Sequence, residues 1–96
     1  MSRVFLRLSA EHPSLKGHFP NNPIIPGAVL LDEVLAAIGR ARGQPVVAWT
    51  VKAVKFLQPV RPGAELAVEF TEAPGGDIRF RCCTGALEVV TGLVRA

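Results

Sequence analysis

The residues able to do chemistry gather in one stretch, Lys16 to Asp32, "KGHFPNNPIIPGAVLLD". A histidine titrates near neutrality, so His18 is the natural base of the set. Asp32 interrupts the apolar run Ala28, Val29, Leu30, Leu31, Val34, Leu35 and is the candidate acid. Between them "PIIPG" leads into what reads as a helix. Its first free backbone amides, Gly27 and Ala28, would point outward with the positive end of the helix dipole, where a developing oxyanion is stabilised. A base, an acid and an oxyanion site around one helix end form a kit for removing a proton beside a carbonyl while protonating a leaving group.

Asp32 has an acidic neighbour, and helical spacing separates the two. At 100° per residue Glu33 lines up with Arg40 in a polar stripe, whereas Asp32 lines up with the small residues Ala36 and Gly39. Glu33 is therefore expected in solvent and Asp32 against something close-packed. Plainer roles stand beside these: a loop histidine held by turn hydrogen bonds, a helix-surface acid at a subunit rim, and a Pro-Gly helix start. His12 receives no functional role, and Lys52, Lys55 and Arg61 read as solvated strand and turn residues.

The elements that must position these groups follow from periodicity. "RVFLRL" alternates as a half-buried strand, and Ser9 to Pro26 is irregular because Pro13, Pro20, Pro23 and Pro26 each remove an amide donor. Phe19, Ile24 and Ile25 give that long loop an ordered, docked path. Gly27 to about Ala41 is helical and apolar nearly all the way round, hence buried, and "ARGQP" ends it. Strands are predicted at Val46 to Leu57, Ala64 to Glu72, Ile78 to Thr84 and Leu87 to Arg95, separated by Gly and Pro turns. One strand, one buried helix and four consecutive strands make an α+β order, an antiparallel sheet wrapped around a single helix. Five short strands leave a flank and an edge uncovered, most simply buried against a second copy.

Composition agrees with a packed domain. Of 96 residues 49% are hydrophobic and 20% charged, so the whole chain, 1–96, is expected to be one globular domain with a thin core. No apolar run approaches the length that spans a bilayer and the start lacks the order of a signal peptide, so the expected location is cytoplasmic. Cys82 and Cys83 are neighbours in a strand, one expected inward and one outward, a poor disulfide and a poor metal site. Eleven Lys and Arg against eight Asp and Glu give a net charge of +3 without a basic run. That is a weak footprint for nucleic acid and suits an acidic protein partner better.

The run "GHFPNNPIIPGAVLLD" resembles the active-site signature of the 3-hydroxyacyl-[acyl-carrier-protein] dehydratases, in which His-Phe-Pro, then Pro, then Pro-Gly lead into a helix bearing Asp or Glu. "VKFLQPVRPGAEL" resembles a strand and Pro-Gly turn of the same family. Together the two segments cover about a third of the chain. The resemblance implies a hot-dog fold and a homodimer with active sites at the subunit interface. There His18 of one subunit would take the α-proton, the amides of Gly27 and Ala28 would hold the thioester oxygen, and Asp32 of the other subunit would help the hydroxyl leave as water. It also implies no metal or redox cofactor, with substrate carried on the phosphopantetheine of an acyl carrier protein. Arg40, Arg42, Lys52, Lys55 and Arg61 are candidates for contact with that acidic carrier.

The chain departs from better-known members in having Ala36 four residues after the acid, where they often have Gln, and Asn21 after His-Phe-Pro, where they tend to have Gly. Its Asp-type acid and compact length look more like the small dehydratases of aryl-polyene and other specialised lipid gene clusters. Two other functions fit the same residues. One is a hot-dog acyl thioesterase, with Asp32 activating water. The other is a non-catalytic partner subunit of an active dehydratase, for which the missing polar neighbour at Ala36 speaks.

Overall fold

The computed structural model of the chain describes residues 1–8, 24–43 and 48–96. Strand β1 (Ser2–Arg7) is followed by helix α1 (Gly27–Arg42), then β2 (Thr50–Phe56), β3 (Glu65–Glu72), β4 (Asp77–Thr84) and β5 (Leu87–Arg95). A single 3-10 turn, Pro74–Gly76, joins β3 to β4. The strands form one antiparallel sheet in the order β1-β3-β4-β5-β2. This is the α+β arrangement expected, a hot-dog sheet around one long helix.

Alternation fixes which side of the sheet meets the helix. Leu66, Val68 and Phe70 of β3 lie beside Ile78, Phe80 and Cys82 of β4, with Val90 and Val94 of β5 beyond them, and all are buried. Leu30, Val34, Leu35 and Ile38 of α1 complete that core. Burial of each such side chain contributes roughly 1.5–3 kcal/mol. Pro26 stands at the N-cap with φ −57°, already set for helix entry, and its carbonyl accepts from the Leu30 amide at 3.0 Å. Gly43 ends α1 in the left-handed region at φ 71°, its amide donating to the Arg40 carbonyl at 3.1 Å. Only glycine adopts that conformation without strain.

Two sequence expectations change. Strand β2 spans Thr50–Phe56, so Ala48 and Trp49 of the expected strand fall outside it, while Val46 and Val47 lie outside the described residues. It carries a bulge between Val51 and Ala53, and at the edge of the sheet all seven of its residues are exposed. The second concerns the cysteines: Cys82 faces the core as expected, but Cys83 is buried too. A register shift between these two residues breaks the regular alternation there.

Both cysteines are free thiols. Burial, with a smaller contribution from Cys83, pushes the Cys82 thiol up from 9.0 to about 12. A thiol whose pKa is higher folded than unfolded favours folding fully below pH 9, and this contribution is lost as pH rises from 9 towards 12, because only the unfolded chain ionises there. Stability to denaturant is expected to fall across that window. Cys82→Ala is expected to be less stable at pH 7, and its fall should be shallower. Equal slopes for both proteins in urea titrations at pH 8 and pH 10.5 would refute this assignment.

Candidate functional site

At the start of α1 the local sequence leaves three amides without helical acceptors. The first intrahelical bond is made by the Leu30 amide, so those of Gly27, Ala28 and Val29 have no carbonyl one turn back. No side chain among the described residues caps this end. The lead into the helix is pinned from the other side of the fold, where the Ile25 amide donates to the Val60 carbonyl at 2.8 Å. Beyond β2, the amides of Leu57 and Gln58 both donate to the Val89 carbonyl, at 2.8 and 3.4 Å. These bonds hold two segments side by side, and a groove of about 430 Å³ opens between them, lined by Ile24, Gly27, Leu30, Phe56, Gln58 and Pro59 among others.

Phe56 is the residue that spacing did not single out. A Cβ added at Gly27 would lie 3.2 Å from Cε1 and Cζ of its ring, so glycine here lets the end of the ring pack against the helix start. The only signal in the sequence is the aromatic of "VKFLQPV". The groove is predominantly apolar and has Gly27, the first residue of α1, in its lining, a shape that accepts a chain with a polarised carbonyl at its tip.

Asp32 is exposed in the protomer, together with Ala28 and Ala36, while Glu33 is half-buried. The expectation for this pair is thus reversed within one chain. Val34, Ile38, Leu30 and Ala37 face the sheet, and Asp32 lies two residues from Val34, about 160° around the helix from it. Gly27 sits on the other side, about 140° from Asp32 and about 7.5 Å away along the axis. One protomer therefore presents the groove and the acid in different directions. His18 lies outside the described residues.

The remaining candidates scatter. Arg42 bonds Glu72 at 2.7 Å and Lys52 bonds Asp77 at 3.0 Å, whereas Arg40, Lys55 and Arg61 are exposed and have no carboxylate at ion-pair distance among the described residues. Lys52, and after it Arg95, holds the Asp77 carboxyl below the usual carboxylate range.

The sequence matches the profile of the ApeI-like family, described as ApeI dehydratase, over residues 2–92. The chain belongs to the ApeI-like dehydratase family. Among curated relatives, a 3-hydroxyacyl-[acyl-carrier-protein] dehydratase FabZ of Geobacter metallireducens is 33% identical over 97 residues, covering 91% of this chain and 63% of its own length. One of Blochmanniella pennsylvanica is 32% identical, covering 82% of this chain and 60% of its own length. Matches to such relatives reach from 42% to 63% of their length, so this family member spans only part of them. Among solved structures, the dehydratase heterocomplex ApeI:P of Xenorhabdus doucetiae superposes with a TM-score of 0.75 at 23% identity, covering 97% of this chain and 83% of that one. A mutant of the fluoroacetyl-CoA-specific thioesterase FlK reaches 0.69 at 15% identity, covering 98% and 84%. At these identities the two structures establish the hot-dog fold of this family member and leave its reaction to its own residues. No helix among the described residues is long and apolar enough to cross a membrane.

Proposed function

We propose that the chain dehydrates a 3-hydroxyacyl thioester, carried on the phosphopantetheine of an acyl carrier protein, to the trans-2-enoyl thioester. His18 takes the α-proton, the Gly27 and Ala28 amides hold the thioester oxygen as negative charge builds, and Asp32 gives a proton to the departing hydroxyl. Atoms balance as loss of one water, and the step asks nothing of a metal or redox cofactor. The observation that carries this reading is the groove that has Gly27, the first residue of α1, in its lining beside Phe56.

A homodimer completes the reading. Because Asp32 points away from Gly27, the acid that serves one groove comes from a second copy. The surface that would receive that copy is exposed and partly apolar: Val51, Val54 and Phe56 on the edge strand β2, with Ala28 and Ala36 on α1. Burying Asp32 there restores the close-packed setting its sequence context suggests.

Incubation with 3-hydroxyacyl-carrier protein is expected to give enoyl product, detected by mass spectrometry of the carrier, and to release no free thiol. Thiol release without enoyl would mark a thioesterase instead. One observation favours a second reading, a partner subunit: the side chain one turn beyond Asp32 is Ala36, which offers no hydrogen bond to orient a carboxylate. If the homodimer is inert and gains activity only with a second dehydratase chain, this reading replaces the first.

A further inference from the structure

The charge of this chain is not spread evenly over its surface. On the outer face of the sheet, away from α1, Arg3, Glu69, Arg81, Thr91 and Lys55 form one row across the strands. Thr71, Arg79, Leu93 and Ala53 form the next. With Arg7, Glu65, Asp77, Glu88, Lys52 and Arg95, this face holds seven basic residues and four acidic ones. The other described charges, Arg40, Arg42 and Arg61 against Asp32, Glu33 and Glu72, cancel. The excess of three positive charges among the described residues therefore sits entirely on the outer face.

Ion pairs narrow its position further. Glu65 is matched by Arg7 at 3.4 Å. Glu69 and Glu88 are matched by Arg3 and Arg81, at 3.1 to 3.5 Å. Asp77 is shared by Lys52 and Arg95 at 3.0 and 2.8 Å, which leaves one charge over. Lys55 and Arg79 have no carboxylate at ion-pair distance among the described residues. The surplus thus lies near Ala53 and Leu93, and there the face opens into a groove of about 500 Å³ lined by Ala53, Gly92 and Leu93 with the unpaired Lys55 and Arg79, and by Arg81 together with its partners Glu69 and Glu88.

Unmatched cations around an apolar hollow fit a protein surface with carboxylates flanking an apolar side chain. We infer that the outer face around Lys55 and Arg79 docks the acidic carrier protein that brings the substrate, an assignment that rests on the proposed function. Lys55 is followed in β2 by Phe56, whose ring faces Gly27 on the other side of the sheet. The docking face and the candidate site are therefore separated by one edge strand, and the Leu57–Pro59 segment that lines the site's groove follows directly. Of the basic residues considered from sequence, this selects Lys55 over Arg40, Arg42 and Arg61, and adds Arg79.

The test is direct binding, which does not depend on turnover. A purified bacterial acyl carrier protein in its phosphopantetheine form is titrated into wild type, Lys55→Glu/Arg79→Glu and the control Arg40→Glu/Arg61→Glu by calorimetry. The first double variant is expected to weaken binding at least tenfold, and the control less than twofold. Affinity of wild type should fall as salt is raised, and less steeply in Lys55→Glu/Arg79→Glu. For turnover, that variant should raise KM for carrier-bound substrate and leave KM for the same acyl group on N-acetylcysteamine unchanged. Unchanged carrier affinity in Lys55→Glu/Arg79→Glu overturns the surface, as does equal weakening in the control. If binding is lost as expected but no thioester is dehydrated, the surface stands and the proposed reaction falls.

Discussion

An equimolar mixture of His18→Ala and Asp32→Ala, each nearly inert alone, should regain about a quarter of the wild-type sites once subunits have exchanged. Loss of a positioned acid or base lowers the rate by about 10²–10⁴-fold, so each parent contributes little background. The expected fraction follows from the geometry of α1. Asp32 lies about 140° around the helix from Gly27, so in the proposed homodimer the groove and the acid that serves it come from different chains. Random exchange makes about half the dimers mixed, and each mixed dimer has one site with both groups intact and one with neither. Exchange is followed by native mass spectrometry and activity by enoyl formation. Complete exchange without recovery would show that the two residues do not meet across an interface. Recovery well above a quarter would mean that unlike chains pair preferentially, up to a limit of about one half.

The second large effect concerns Gly92. A Cβ at this position would lie 2.6 and 2.7 Å from Cε1 and Cζ of Phe80 and 2.8 Å from the carbonyl oxygen of Ala53. The ring of Phe80 is itself buried in the core, and the Ala53 carbonyl belongs to the bulge in β2, so neither neighbour yields easily. Overpacking of this kind costs about 1–3 kcal/mol, and in a domain of this size each kcal/mol lowers Tm by roughly 4–8 °C. Gly92→Ala is therefore expected to melt about 5–20 °C below wild type when both are followed by circular dichroism at equal protomer concentration. Phe80→Leu should destabilise wild type by opening a cavity but cost less when combined with Gly92→Ala, so the double variant should be more stable than the sum of the two changes predicts. A Gly92→Ala melt within 2 °C of wild type would mean that the ring has room to move.

Much of this was legible in the sequence because alternation and punctuation agreed. Strands β3, β4 and β5 end within about one residue of their predicted limits, since Leu66, Val68 and Phe70 or Ile78, Phe80 and Cys82 each mark one buried face and Gly or Pro closes each run. Helix α1 begins at Gly27 as "PIIPG" suggests. What was not legible depends on partners in space. An almost wholly apolar helix offers no unique buried stripe, so taking Arg40 as the marker of the solvated side reversed Asp32 and Glu33. The bulges at Val51/Ala53 and Cys82/Cys83 leave no trace in residue type, and with the second went the burial of Cys83. Lys55 read as an ordinary solvated strand cation until the ion pairs showed which carboxylates were already taken.

Strand β2 has consequences for how much of this protein a cell can hold. Its outer edge is an open row of amides and carbonyls beside Val51, Val54 and Phe56, and such an edge recruits other strands unless something blocks it. The bulge and the two lysines, Lys52 and Lys55, work against flat stacking and restrict pairing to a strand that matches the local twist. Protomers made in excess of whatever covers β2 are thus the ones exposed to aggregation and proteolysis. Where the cover is a second copy, as in the proposed homodimer, that exposed fraction is set by the concentration of the chain itself and is largest when the protein is dilute.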